Sequence, residues 1–465
     1  MDREKIHVVF FPWLAFGHMI PFLEVAKKIA IRNHKVTYIS TPKNVDRLLQ
    51  NDAVAQNSTI EFVRLPLPHQ EGLPLHAEST TDLQFHEVPF LKRASDLLKE
   101  NLAEFLKSSK PDWVVYDFNP YWLPPILNEL GISGAFFNII SSWTLCAFGS
   151  SSDAFINGSD RKTIEDFVSP PKWVPFSTDL CFRGYEAKRM LLGVQDTMSD
   201  VSDGYRAGMG LKGCNLIVSR SCNELDGEWL KLLGDLHKKP TSPVGLLPPS
   251  SDLELHNPER ANSWSKISNW LDKWDKGLVL YVALGSEAPL VQEVVSELAH
   301  GIELSNVPFL WAFKAPKSIK LPLGFEERTK GKGIVWTEWV PQVKILAHEA
   351  IGGFLTHCGW GSVLEGLEFG RPLVMLPFVL DQGLNSTLLV KKGVGIEVPR
   401  NDEDGSFTKE SVCESIIKVM AKDSDNIYSK NAKKWGQIVG DQKLHEDYVD
   451  GFIQSLRAHK QVICD

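Results

Sequence analysis

Short apolar runs alternate with stretches of helical spacing along both halves of the chain. His7 to Pro12 is a mostly apolar run, as expected of a strand buried on both faces. Leu14 to His18 reads as a turn, and Ile20 to Arg32 as an amphipathic helix with Pro21 tolerated in its first turn. Phe22, Val25, Ala26 and Ile29 form its apolar stripe, while Glu24, Lys27 and Lys28 fall on the wet face. Lys35 to Ser40, Ile60 to Leu65 and Trp113 to Tyr116 are further strands. This rhythm predicts a doubly wound parallel sheet.

The stretch Lys239 to Ser263 is rich in Pro and Ser and reads as a linker between halves. Beyond it the pattern restarts. Leu278 to Leu284 is a buried strand ending in Gly285-Ser286, and Val291 to Ile302 is a helix. Val307 to Ala312 and Gly333 to Trp336 are further strands. The tail, Glu446 to His459, carries Tyr448, Phe452, Ile453 and Leu456 at helical spacing and must dock on something.

The most informative stretch is Trp339 to Gln382. The β-capable run Ile351 to His357 is broken by Cys358-Gly359-Trp360-Gly361-Ser362, and a helix follows from Val363 to Phe369. A strand that ends this way and opens a helix points several backbone N–H groups and a positive dipole end at one spot, which suits a phosphate. His357 and Ser362 add side-chain donors there. Glu365 suits ribose hydroxyls, Trp339 and Gln342 suit a flat base, and Asp381 and Gln382 suit sugar hydroxyls. Any one of these residues is better explained as a cap or a turn. Together they describe a nucleotide-sugar site. Ser286, after the strand ending at Leu284, reads equally as a plain turn residue or as a second diphosphate contact.

His18 follows Gly17 just after the first strand, where open α/β sheets present ligands. Asp117 ends the strand DWVVYD on the same edge. A His oriented by an Asp makes a general base, although two helix caps would use the same residues.

The spacing Trp…Gln…His-Cys-Gly-Trp…Ser…Glu…Asp-Gln resembles the signature box of the plant family 1 UDP-sugar-dependent glycosyltransferases. The likeness runs over nearly the whole chain. FPWLAFGHMIPFLEVAKKIA, LPLPHQEGLPLHAEST, VALGSEAPL, ELAHGIELSNVPFLWAF and NDEDGSFTKESV look most like the subgroup that adds a sugar to a sugar on terpenoid or flavonoid glycosides. One departure stands out: Gly361 occupies the place where the family usually has Asn, which removes one side-chain contact to the donor. The resemblance implies an α/β fold of the GT-B type, two facing Rossmann-like domains with the active site in the cleft. It implies an acceptor-binding domain over 1–240, a linker over 241–263, a UDP-sugar domain over 264–445, and a closing helix over 446–465 that returns to the first domain. His18 would then be the base, Asp117 its partner, and Ser286, Trp339, Gln342, His357, Trp360, Gly361, Ser362, Glu365, Asp381 and Gln382 the UDP-sugar contacts. The donor is a co-substrate; no cofactor and no metal is implied. The donor is expected to be UDP-glucose, with UDP-rhamnose or UDP-xylose as alternatives, and the acceptor a small-molecule glycoside.

Composition narrows the partners. The 465 residues allow two to three domains. A net charge of −8 argues against nucleic acid. Seven cysteines with no CxxC fit a reducing compartment. No apolar run is long enough to span a bilayer and no targeting segment is visible, so a cytoplasmic monomer is expected. Gly208-Met209-Gly210-Leu211-Lys212-Gly213 matches the dinucleotide fingerprint, but it precedes a strand-like run instead of following one. The irregular stretches Pro66 to Leu97 and Ser141 to Ala207 are expected to line an acceptor pocket, the alternative being loops with core anchors. A nucleotide-dependent oxidoreductase and a non-catalytic sugar-binding protein are the rival classes.

Overall fold

The computed structural model describes residues 5–51, 59–158, 160–195, 200–248, 258–285, 288, 290–316, 318–422 and 426–461. Among the described residues, thirteen parallel strands form two sheets. The first contains β1 (His7–Phe11), β2 (Lys35–Ser40), β3 (Glu61–Arg64), β4 (Trp113–Tyr116), β5 (Ser133–Asn138), β6 (Leu216–Ser219) and β7 (Thr241–Pro243), in the order β3-β2-β1-β4-β5-β6-β7. The second contains β8 (Val279–Ala283), β9 (Phe309–Ala312), β10 (Gly333–Trp336), β11 (Ile351–Thr356), β12 (Leu373–Met375) and β13 (Gly395–Glu397), in the order β10-β9-β8-β11-β12-β13. Helices cover both faces, so central strands such as β1 and β8 are buried along their whole length and carry uninterrupted apolar runs. These are the two facing Rossmann-like domains that the sequence implied.

Strand order reverses between β1 and β4 in the first sheet and between β8 and β11 in the second. The carboxyl ends of four strands therefore frame two crevices, the places where such sheets bind ligands. One apolar cluster runs through the boundary between the sheets, joining Trp143 and Cys146 to Trp360 and Leu384. The helix Gln442–Ala458 returns to the first domain. Its Val449, Phe452, Ile453 and Leu456 join the core under β1, and Arg32 bonds both Glu446 and Asp450.

Several boundaries differ from the sequence reading. The helix read from Ile20 begins at Phe16, so His18 lies in its first turn and not in a loop before it. The helix after the Cys358 turn likewise begins at Trp360. β7 adds a strand to the first sheet within the stretch read as linker, and the helix Pro258–Leu271 begins inside that stretch. β5, a six-residue strand, has no counterpart in the sequence reading: its SGAFFN run is short and Gly-containing. The glycines at 208–213 lie in the helix Asp203–Gly213. They permit close packing, since a Cβ at Gly208 would sit 2.8 Å from Ile156 and one at Gly213 2.3 Å from Pro124. Within the stretch Ser141 to Ala207, expected to line an acceptor pocket, the aromatics Trp143, Phe182 and Tyr185 are buried core anchors, as the alternative reading had it.

Candidate functional site

The crevice of the first sheet is built by the chain leaving β1 and β4. These strands are neighbours, with Phe11 opposite Tyr116, so the segments that follow them emerge side by side. His18 Nδ1 lies 2.8 Å from Asp117 Oδ2, the Asp side chain 2% exposed and the His 20%. The Trp13 amide donates to the same oxygen at 2.7 Å, and the Asn119 amide donates to Oδ1 at 3.1 Å. Asp117 is thus fixed by backbone donors, and it fixes the ring. With Nδ1 as the donor, Nε2 is left as the basic nitrogen. Phe118 stands 5.6 Å from the imidazole centroid and 6.1 Å from Trp13, giving the histidine an apolar wall. The sequence reading passed over Trp13 and Phe118, whose only signal was adjacency to the strand ends.

The second crevice follows β8 and β11. Cys358 adopts φ 68°, a left-handed turn that a non-glycine residue seldom takes, and Gly359 then caps the helix Trp360–Glu368 without a side-chain bond. First-turn N–H groups are left for another acceptor. His357 is wedged between glycines: a Cβ at Gly285 would lie 2.7 Å from its ring and one at Gly359 2.5 Å. Its buried Nδ1 has no hydrogen-bond partner, and burial lowers its pKa to about 4, so it is a neutral imidazole at neutral pH. Gln342 links three side chains. Its Oε1 accepts from Tyr281 at 3.1 Å, and its Nε2 donates to Ser362 Oγ at 3.3 Å and to Glu365 Oε2 at 2.6 Å. Trp339 is 38% exposed, and the Arg260 guanidinium lies 4.0 Å from its ring centroid. Ser286 lies outside the described residues.

The remaining predicted residues sit where the domains meet. Trp360 is buried and packs edge-on against Trp143 at 5.0 Å, its Nε1 donating to the Arg220 carbonyl at 3.4 Å. Its indole therefore serves the boundary, leaving its main chain to face the crevice. Gly361 is open: an added Cβ would find only Arg220 Nη1, at 3.7 Å. Asp381 accepts from Asn385 Nδ2 at 2.8 Å. Burial raises its pKa to about 6, opposed by the Asn385 bond and by the charge of His18 in the other domain. Gln382 is buried, its Oε1 holding the Phe378 and Val379 amides at 2.9 and 3.1 Å. Asn385 opens an Asn-Ser-Thr sequon in the sequence. It is a buried hub, accepting from Ser141 Oγ at 2.9 Å and Trp143 Nε1 at 3.2 Å across the boundary. Among the described residues, no group of three or more His, Cys, Asp or Glu is placed to hold a metal, and no helix is long and apolar enough to cross a membrane.

Comparison with known proteins meets this geometry. Residues 255–447 match the family described as UDP-glucoronosyl and UDP-glucosyl transferase. The chain is 46% identical to UDP-glycosyltransferase 91D2 of Stevia rebaudiana, over 99% of this chain and 97% of that one. It is 41% identical to the Soyasaponin III rhamnosyltransferase of Glycine max, over 99% and 97% of the two chains. Among solved structures, UGT73P12 of Glycyrrhiza uralensis, complexed with glycyrrhetinic acid 3-O-monoglucuronide, superposes with a TM-score of 0.78 at 23% identity, covering 98% of this chain and 96% of that one.

Proposed function

Because the chain belongs to the UDP-glucoronosyl and UDP-glucosyl transferase family, and is therefore a UDP-glycosyltransferase, we propose that it moves a sugar, with inversion, from a UDP-sugar to a hydroxyl of a small-molecule glycoside. The product is a sugar–sugar bond on a terpenoid or flavonoid glycoside, and UDP-glucose is the donor we favour.

One observation carries this reading: Asn385 bonds Asp381 on the donor side and reaches across the boundary to Ser141 and Trp143 of the first domain, the domain in which Asp117 holds His18 at 2.8 Å. In this reading the base and the sugar-binding carboxylate face one cleft. In the mechanism we infer, the acceptor hydroxyl gives its proton to His18 Nε2 while its oxygen attacks the anomeric carbon. The bond to the diphosphate breaks on the opposite face, and UDP leaves with the bonding electrons. A single displacement inverts the centre, so an α-linked donor gives a β-glycoside. Asp117 stabilises the imidazolium that forms. In this reading the departing diphosphate is received by the first-turn amides of the helix Trp360–Glu368, whose cap makes no side-chain bond, by His357 and by Ser362. Trp339 stacks on the base, and Glu365, held by Gln342, takes the ribose hydroxyls.

A second reading, rhamnosyl transfer to the same acceptor class, is favoured by the Glycine max relative, named for that sugar and for a saponin, itself a glycoside. Xylosyl transfer and glycosylation of an aglycone are the remaining alternatives. The deciding experiment incubates the protein with UDP-glucose, UDP-rhamnose and UDP-xylose against glycosylated and unglycosylated acceptors. A mass gain of one hexose on a glycoside is the expected product. Release of UDP with none of these pairs would refute the proposal.

A further inference from the structure

We propose that Arg220 of the first domain supplies the donor-phosphate contact that Gly361 leaves vacant in the second, so that the diphosphate is gripped from both domains. The inference rests on the donor-site reading given above and deepens it.

Arg220 directly follows β6, on the carboxyl edge of the first sheet. It is 5% exposed. Two of its nitrogens are committed: Nε donates to the Leu246 carbonyl at 2.8 Å and Nη2 to the Leu247 carbonyl at 3.2 Å. Those bonds fix the plane of the guanidinium and point the third nitrogen away from them. Nη1 makes no hydrogen bond among the described residues, and it lies 3.7 Å from where a Cβ at Gly361 would stand. Gly361 is the second residue of the helix Trp360–Glu368, whose cap has no side-chain bond. A buried cation with one unused donor thus faces an uncapped helix start across a gap the width of a missing side chain. An anion seated at that helix start lies within reach of both. The position is locked from the other side, because the Trp360 indole bonds the carbonyl of Arg220 itself.

Burial lowers the Arg220 pKa to about 10, with Glu365 acting in the opposite direction, so the side chain stays cationic at neutral pH. A buried charge is costly unless it meets a counter-charge. Glu365 provides part of one, and a diphosphate provides the rest. Asn at 361 would project its amide towards Nη1, so a side chain there and Arg220 compete for one volume.

The test compares uridine with UDP by calorimetric titration, since only UDP carries the phosphates. Arg220→Gln should weaken UDP about 10- to 100-fold and leave uridine within about twofold of the wild type. Adding Gly361→Asn to that variant should recover part of the UDP affinity. Equal losses for both ligands, or no loss of UDP, would overturn the assignment and leave Arg220 as a loop anchor. Should Arg220→Gln not fold, Arg220→Lys takes its place, with a selective loss of UDP expected and a parallel or absent loss again overturning the idea. Wild-type protein that binds UDP no better than uridine would instead remove the donor seat itself, a separate failure visible before any variant is made.

Discussion

Trp143 and Trp360 meet edge to face at 5.0 Å across the domain boundary, one following β5 and the other opening the helix Trp360–Glu368. Both are buried, and Trp143 also donates to Asn385. The turn before that helix, where we propose that the phosphates sit, is therefore held in place by the opposite domain. Trp360→Ala should cost about 3–5 kcal/mol through the cavity it leaves, read as a lower urea midpoint. An unchanged midpoint would mean that the boundary packs without it.

We propose that Glu365 reads the ribose. Its Oε2 accepts from Gln342 at 2.6 Å, and burial raises its pKa, with Gln342 and Arg220 acting against that rise. Glu365→Ala should weaken uridine and UDP alike, by about tenfold, in contrast to the UDP-only loss expected at Arg220. A loss confined to UDP would place Glu365 on the phosphates instead.

Glu368 gives a pH signature. Burial, reinforced by nearby Glu365, raises its pKa to about 7, and its Oε2 is buried without a partner. A carboxyl whose pKa is higher folded than unfolded contributes stability at low pH, and that contribution is lost as pH rises through about 7. Glu368→Gln has no such proton to lose. Between pH 5 and pH 8 the wild type should therefore lose about 1–3 kcal/mol relative to the variant, measured by urea unfolding at each pH. Parallel profiles would contradict this.

The sheets were legible because parallel strands buried on both faces must be mostly apolar; β1 and β4 announce themselves as such. The His18–Asp117 contact spans 99 residues, and only the reversal of strand order between β1 and β4 brings the pair together. Spacing alone could not separate that dyad from two caps. Arg220 and Asn385 were invisible for a different reason. Each is an ordinary polar residue beside a strand or in a helix, and its importance lies in what the other domain places against it. Trp360 was noticed for its place in the box, but the direction of its ring, away from the crevice and into Trp143, is a property of the packed domains.

The most direct test is turnover of His18→Ala beside its affinity for UDP. In the proposed arrangement the imidazole stands on the acceptor side of the cleft, and the phosphates sit at the helix Trp360–Glu368 of the other domain. UDP release in the presence of a donor and a glycoside acceptor should fall by about 10²–10⁴, while the Kd for UDP stays within about twofold of the wild type. Turnover that survives the substitution would contradict the account.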